Sequence, residues 1–366
     1  MTDLRLSFVL CDFQGNLIGE VDEAVTRKFT RTRNIPATAE ITVRLEEDLA
    51  EYLTPNARPR LKVYRSATAA ELQANSSAGR QLLFYGLMPS TSCDDDTNTG
   101  LTTATFFDPR VRLTQAYTYV PVQYGAIYQG NILWDMVRTW QLRPGGISYL
   151  VQGATDFSRT RDRNYDQGKE LASLIDEMTK VEGGPDVDVN PIDSSGATVM
   201  GGFNTYAIQG SDRPNASFIA GPDLPANCQV KRSYGKTVTF ATAQGTAADG
   251  TAARQSYPVS VLSGHGLLES YETVSDASVA ATLLARATGE VVQNQEPQQI
   301  ISISNIITRE APAPFIDYFL GDTVRVTARR GKLNLDRAPV RVEAFTIDVG
   351  DDGAANVTSL TTSGDV

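Results

Sequence analysis

Histidine occurs once in the 366 residues, at His265, so neither a histidine metal cluster nor a proton-sharing histidine pair is available. That residue lies between glycines in SGHGLL, with no chemical partner near it in sequence, and reads as a turn residue. Cysteine is scarce too. Cys11, Cys93 and Cys228 are odd in number and far apart, which matches neither a disulfide framework nor a zinc spacing and fits assembly in a reducing cytoplasm. No apolar run approaches the roughly 18 to 20 residues that cross a bilayer as a helix. The opening MTDLRLSFVLCDF lacks a basic leader and reads as a first strand, not a signal peptide. Basic residues are outnumbered 33 to 43, giving a net charge of −10. That balance argues against general nucleic-acid binding and favours a surface that stays soluble at high local concentration.

Catalytic signatures are missing as well. There is no G-x-S-x-G elbow, no P-loop and no G-x-G-x-x-G following a strand. Carboxylate neighbours such as Glu46 and Glu47 have no supporting context. CDDDTNTG places Asp94, Asp96 and Asn98 like the first ligands of a calcium loop. However, Thr99 and Thr105 stand where that loop needs glycine and a bidentate glutamate, so a solvated hairpin turn is the expectation.

What is present is mainly β. Leu4, Leu6, Phe8 and Leu10 alternate with more polar positions before a Gly15–Asn16 turn, and Ile41, Val43 and Leu45 repeat that period. LKVY (61–64), QLLFYGLM (81–88) and LTTATFF (101–107) are further strands, and 65–80 reads as a polar loop. The most regular helix is expected over 168–181, where Leu171, Leu174, Ile175, Met178 and Val181 form one apolar stripe. Asn164 or Asp166 is its expected cap, and Gly183, Gly184 and Pro185 stop it. Leu133, Met136, Val137 and Trp140 mark another helix, RTRDRNY (159–165) a basic linker and VDV (187–189) a short strand.

Residues 200–260 are poor in charge, with strand-like FNTYAI (203–208) and TVTFAT (237–242) and a flexible tip at Gly245–Gly250. A helix at 276–292 takes Ser275 as cap and carries Val279, Leu283, Ala287 and Val291, with Gly289 weakening it by about 1 kcal/mol relative to alanine. IISISNII (300–307), DTVRVTA (322–328) and PVRVEAFTIDVG (339–350) are strands. In the last, the apolar phase flips between Val342 and Phe345, which predicts a β-bulge near Ala344, with a turn at Asp351–Gly353.

The domain reading is a β-domain at 1–115, a helix-containing α/β insert at 116–200 leaning on it, Gly/Ala/Thr-rich strands at 201–265, and a helix plus second β-domain at 266–366. The fold class is mainly β with an α+β insert: two similar antiparallel β-barrels, hinting at a pseudo-repeat without a shared motif. RKFTRTR (27–33) puts Arg27, Phe29, Arg31 and Arg33 on one strand face. It reads either as a charged edge strand or as contact with an acidic neighbouring subunit or passing nucleic acid.

The order of RTRNIPATAEITVRL (31–45), LLFYGLMPST (82–91), DYFLGDTVRV (317–326) and APVRVEAFTIDV (338–349) resembles the hub, or minor tail protein, of a siphophage tail tip. That family is related to the central hub of contractile-tail baseplates. The resemblance implies a structural, non-enzymatic protein without a cofactor or small-molecule substrate. It also implies a homotrimer whose paired β-domains make a pseudo-sixfold ring continuing the tail tube. Implied partners are the distal tail, tail tube, tape measure and other tail-tip proteins, with DNA passing transiently through the lumen. The implied location is the virion tail tip, assembled in the host cytoplasm. Arg27, Arg31 and Arg33 are then expected at a subunit interface. Two competing readings are a tail-associated cell-wall hydrolase and a carbohydrate-binding adhesin; Trp134 and Trp140, read as helix-face residues, count against the second.

Overall fold

The computed structural model describes residues 4–54, 56–66, 80–89, 93–193, 198–220, 227–233, 237–246, 251–258, 266–274, 280–295, 298–306, 311–330, 333–350 and 353–363. His265, Ser275, Val279, Asp351 and Asp352, most of the 65–80 loop and the 247–250 tip lie outside the described residues.

The first part supplies β1 (Leu6–Cys11), β2 (Leu17–Glu20), β3 (Thr26–Thr32), β4 (Ile35–Arg44), β5 (Arg60–Arg65), β6 (Gln81–Leu87), β7 (Cys93–Asp96) and β8 (Leu101–Phe107). The β7–β8 hairpin is the CDDDTNTG stretch. Its Asp96 carboxylate accepts the Asn98 amide at 2.9 Å and the Thr99 hydroxyl at 2.9 Å, as a solvated turn requires.

A helical insert follows: β9 (Val122–Tyr128), α1 (Gln129–Gln141), β10 (Leu150–Gln152), β11 (Thr160–Tyr165), α2 (Leu171–Thr179), β12 (Asp186–Pro191) and β13 (Gly201–Tyr206). The basic stretch RTRDRNY is therefore no linker but β11, hydrogen-bonded to β9. The apolar stripe of α2 is buried: Leu171, Leu174, Ile175, Met178 and Val181 are all under 9 % exposed. Neither Asn164 nor Asp166 caps that helix. Glu170 stands at the cap without a side-chain bond, and the Leu171 amide donates to the Ala116 carbonyl at 2.8 Å, so chain packing replaces the cap. Ile132, Leu133 and Val137 of α1, Leu171 and Leu174 of α2, and Val187 and Phe203 of the small sheet share one core, distinct from that of the large sheet.

The remaining strands are β14 (Asp212–Ala220), β15 (Asn227–Ser233), β16 (Phe240–Thr246), β17 (Ala252–Pro258) and β18 (Glu269–Thr273). After α3 (Ala280–Asn294) come β19 (Gln298–Ile306), β20 (Thr323–Arg330), β21 (Leu333–Val349) and β22 (Ala355–Ser363). The sequence groups α3 with the C-terminal strands. In the structure its Leu283, Ala287 and Val291 pack with Val238, Ala241 and Ala243, making a separate core with the β17–β16–β18 sheet.

Mainly-β architecture with a helical insert is what the sequence predicts, but two closed barrels are not what forms. Among the described residues, one sheet of 14 strands runs β15-β19-β22-β21-β3-β4-β8-β6-β5-β1-β2, with β7, β14 and β20 off that path. The physical reason lies in β21, 17 residues long. It pairs with β20 through its first half and with both β22 and β3 through its second, so it belongs to both parts. One apolar core, from Leu4 to Leu360, spans the join, with Phe315 in ring contact with both Phe29 and Phe345. The predicted bulge is present. Register breaks between Val342 and Ala344, and Val342, Phe345 and Ile347 are all buried.

Glycine positions mark close backbone contacts. Gly210 and Gly321 adopt φ of +92° and +84° and lie back to back, since a β-carbon on Gly210 would sit 2.2 Å from Gly321. Beside them the buried Asp322 accepts the Ser211 amide at 2.6 Å and the Phe319 amide at 2.9 Å, which gives the GD of DYFLGDTVRV its structural role. Gly289 is likewise a contact and not merely a weak helix residue. A β-carbon there would stand 2.6 Å from the Glu182 backbone nitrogen, where α3 crosses the end of α2.

Two stability outcomes follow from this packing. Leu174→Asp buries an unpaired carboxylate and is expected to cost roughly 3–5 kcal/mol, read as a large drop in urea midpoint; a midpoint near the parent's refutes the burial argument. Gly289→Ala should lower the melting temperature despite alanine's higher helix propensity, because the obstacle is backbone; a rise would show that α3 does not sit against α2 as described.

Candidate functional site

The polar centre of the molecule lies where the insert meets the join between β3 and β21. It starts from local chain geometry. Arg33 and Asn34 form the two-residue turn between β3 and β4, and Asn34 takes φ of +61°, a left-handed conformation that asparagine tolerates. This points the Asn34 side-chain oxygen at β12, where it accepts the Val187 amide at 2.8 Å. On β12 the alternation of strand side chains sets Asp186 and Asp188 on one face, both about 5 % exposed.

Two buried carboxylates need cations, and four arginines from three elements supply them. One guanidinium nitrogen of Arg31, from β3, lies 2.6 Å from both Asp188 oxygens. Arg33 bridges Asp186 and Glu343, each at 2.6 Å. Arg341, from β21, reaches the second Asp186 oxygen at 2.6 Å and the Gln209 carbonyl at 2.9 Å. Arg110, in the short helical turn Pro109–Gln115, pairs with the buried Asp108 at 2.8 Å. It also donates to the Val187 and Ile35 carbonyls at 2.9 and 2.8 Å. Gln209 completes the shell, its amide donating to Asp186 at 2.8 Å and its side chain to Asp188 at 3.0 Å.

A second contact repeats the polarity. Lys62 and Tyr64 on β5 hold Asp193 at 2.8 and 3.0 Å, with the Lys62 ammonium 4.8 Å from the Tyr85 ring centre. At both contacts the sheet presents the bases and the insert the acids.

Burial by itself pushes the Asp186 carboxyl up. The Gln209 amide and the Arg33 and Arg341 charges outweigh it and hold the group below the ordinary aspartate value. Arg33 and Arg110 are resisted by burial in the same way, yet their carboxylate partners raise both above the usual arginine value. The arrangement has matched charges, no open coordination position and no nucleophile beside a base. Its chemistry is cohesion.

The three arginines singled out in the sequence are committed within the chain. Arg31 and Arg33 serve this junction. Arg27, 3 % exposed, donates to the Val21 carbonyl at 3.1 Å and to the Gly350 carbonyl, tying the β2–β3 connection to the β21–β22 turn. Their strand is not an edge, because β3 has β4 on one side and β21 on the other. Sequence reasoning missed Asp186, Asp188, Arg110 and Arg341. The available signal was the Asp-x-Asp spacing of PDVDVN, which matches the Arg-x-Arg of RTR at the end of β3.

No protein-family model matches the sequence, and no curated protein matches it. Solved structures do. The chain is similar to a tail protein from Neisseria meningitidis MC58, at 11 % identity and a TM-score of 0.62 over 99 % of this chain and 97 % of that one. It is similar to the 43 kDa tail protein of prophage MuSo2 from Shewanella oneidensis, at 12 % identity and a TM-score of 0.59 over 97 % and 98 %. A prophage tail protein, gp18, from Listeria monocytogenes EGD-e aligns at 12 % identity and 0.56 over 98 % and 94 %. At such identities the likeness is one of fold, and it runs nearly the full length of both partners.

The junction predicts an acid-sensitive stability. Because the Asp186 pKa is lowered in the fold, its contribution is present above the unfolded aspartate value of about 4 and is lost as pH falls through the folded value. Asp186→Asn should therefore cost about 3 kcal/mol at neutral pH by leaving Arg33 and Arg341 under-compensated, and should flatten the pH dependence below about pH 4. Denaturant titrations across the acid range up to neutrality check this, and a mutant with the parent's acid slope contradicts it.

Proposed function

We propose that this chain is a structural component of a phage tail tip, a hub that closes or continues the tail tube and anchors other tail-tip proteins. The observation that carries the reading is the end-to-end likeness in fold to phage and prophage tail proteins. The electrostatic junction adds to it, since a site with every charge matched inside the chain suits a rigid building block better than a catalyst. On this reading the protein is a homotrimer in the virion, without cofactor or small-molecule substrate. The fused sheet lies in the ring, and the insert projects outward towards neighbouring tail proteins.

The charge sets the conditions for assembly. Three copies at −10 each carry −30, so like charges resist association at low salt and screening eases it. Attraction must then come from apolar surface and sheet edges, of which β2 and β15 end the main path. A negative lumen also suits DNA that must slide without sticking.

Mass measurement of the full chain across salt concentrations, alone and with its tail neighbours, should find a trimer that strengthens with salt, and labelled virions should carry it at the tail tip. A monomer under every condition that is absent from virions would falsify the hub, and solubilisation of cell walls by the purified chain would favour the hydrolase.

A further inference from the structure

Away from the junction, a small cleft lies between the β9–β11 ribbon, α2 and the unit built on α3. Arg163 and Tyr165 of β11, Glu177 of α2, Glu272 of β18, and Thr282 and Arg286 of α3 line it. Both arginines are 9 % exposed. They differ in how they are used. Arg286 forms a two-pronged pair with Glu272, at 2.7 Å on each oxygen, and donates to the Glu177 carbonyl at 3.2 Å.

Arg163 has no such partner. Among the described residues it makes no ion pair and its side chain donates one hydrogen bond, to the carbonyl of adjacent Asp162 at 3.3 Å. A guanidinium has five N–H donors in a planar fork, and burying its charge without an anion is unfavourable. The strand around it is crowded with like charge. Arg161 is pushed down to about 10 by burial and then by Arg163 and Arg159, ahead of the opposing Glu182 and Asp156.

We propose that this cleft is an oxyanion site, in which Arg163 receives a carboxylate or phosphate group through a forked pair of hydrogen bonds, with Tyr165 and Thr282 beside it. The fork geometry of arginine fits both anions, and a charge-assisted pair is stronger than the single carbonyl contact it replaces. Because ribbon and α3 unit form opposite walls, an occupant would tie the two together. The shared chemistry has two sources, a free phosphate or an acidic side chain offered by a neighbouring protein.

The test uses the full chain at fixed ionic strength, with sodium chloride as reference. Inorganic phosphate and, separately, succinate are titrated while melting temperature and ligand NMR linewidth are followed. A saturable rise is expected with at least one of them. Phosphate alone acting points to free phosphate, and succinate acting as well points to an acidic segment. Arg163→Gln should weaken the effect about ten-fold or more, Arg163→Lys less, and exposed Arg329→Gln not at all. Arg163→Lys keeps the charge and serves if the glutamine variant fails to fold. No saturable response to either anion, or an equal response in the parent and both Arg163 variants, overturns the proposal.

Discussion

Two aspartates buried on one face of a short strand set the terms for this molecule. Asp186 and Asp188 cannot keep their charge in a low-dielectric interior unless cations meet them. Those cations come from β3, from the turn after β8 and from β21, regions far apart in the chain. The insert can dock in one way only, with its acids against the sheet's bases. Any other placement leaves several charges uncompensated, so the network fixes orientation even though a buried ion pair adds little net stability over apolar packing.

The second constraint is β21. An apolar strand that pairs along its length with three neighbours prevents the two β-rich parts from closing separately, and the bulge at Glu343 keeps its apolar residues facing the shared core. That bulge also sets Glu343 opposite Arg33, joining the strand register to the electrostatic junction. Register and charge thus reinforce each other. Arg27 adds a third tie across the same join by taking carbonyls from each side.

A junction of this kind accords with a structural role. Its groups are satisfied within the chain, so the surfaces left for other molecules lie elsewhere: the ends of the long sheet, the ribbon of β9 and β11, and the cleft beside α3. A tail component must present such surfaces on a frame that does not rearrange when neighbours bind, and matched buried charges supply that rigidity.

Much of this was legible in the residues. The period-2 strands, the stripe of α2, the hairpin at CDDDTNTG and the phase flip at Ala344 are local properties, set by side-chain alternation and short-range turn chemistry, and the structure contains them. Other features were not local. The helix start at Leu171 depends on the Ala116 carbonyl, the need for Gly289 on the backbone of Glu182, and the place of β3 on its pairing with a strand some 310 positions later in sequence. Arg31 and Arg33 announced charge but not its partners, because opposite charges find each other through space and carry no sequence spacing. Sequence determined which segments would be strands and helices and which faces would be apolar. Only the tertiary structure decided that the two β regions share one sheet and that four arginines converge on β12, since both depend on contacts between residues that the chain itself keeps far apart.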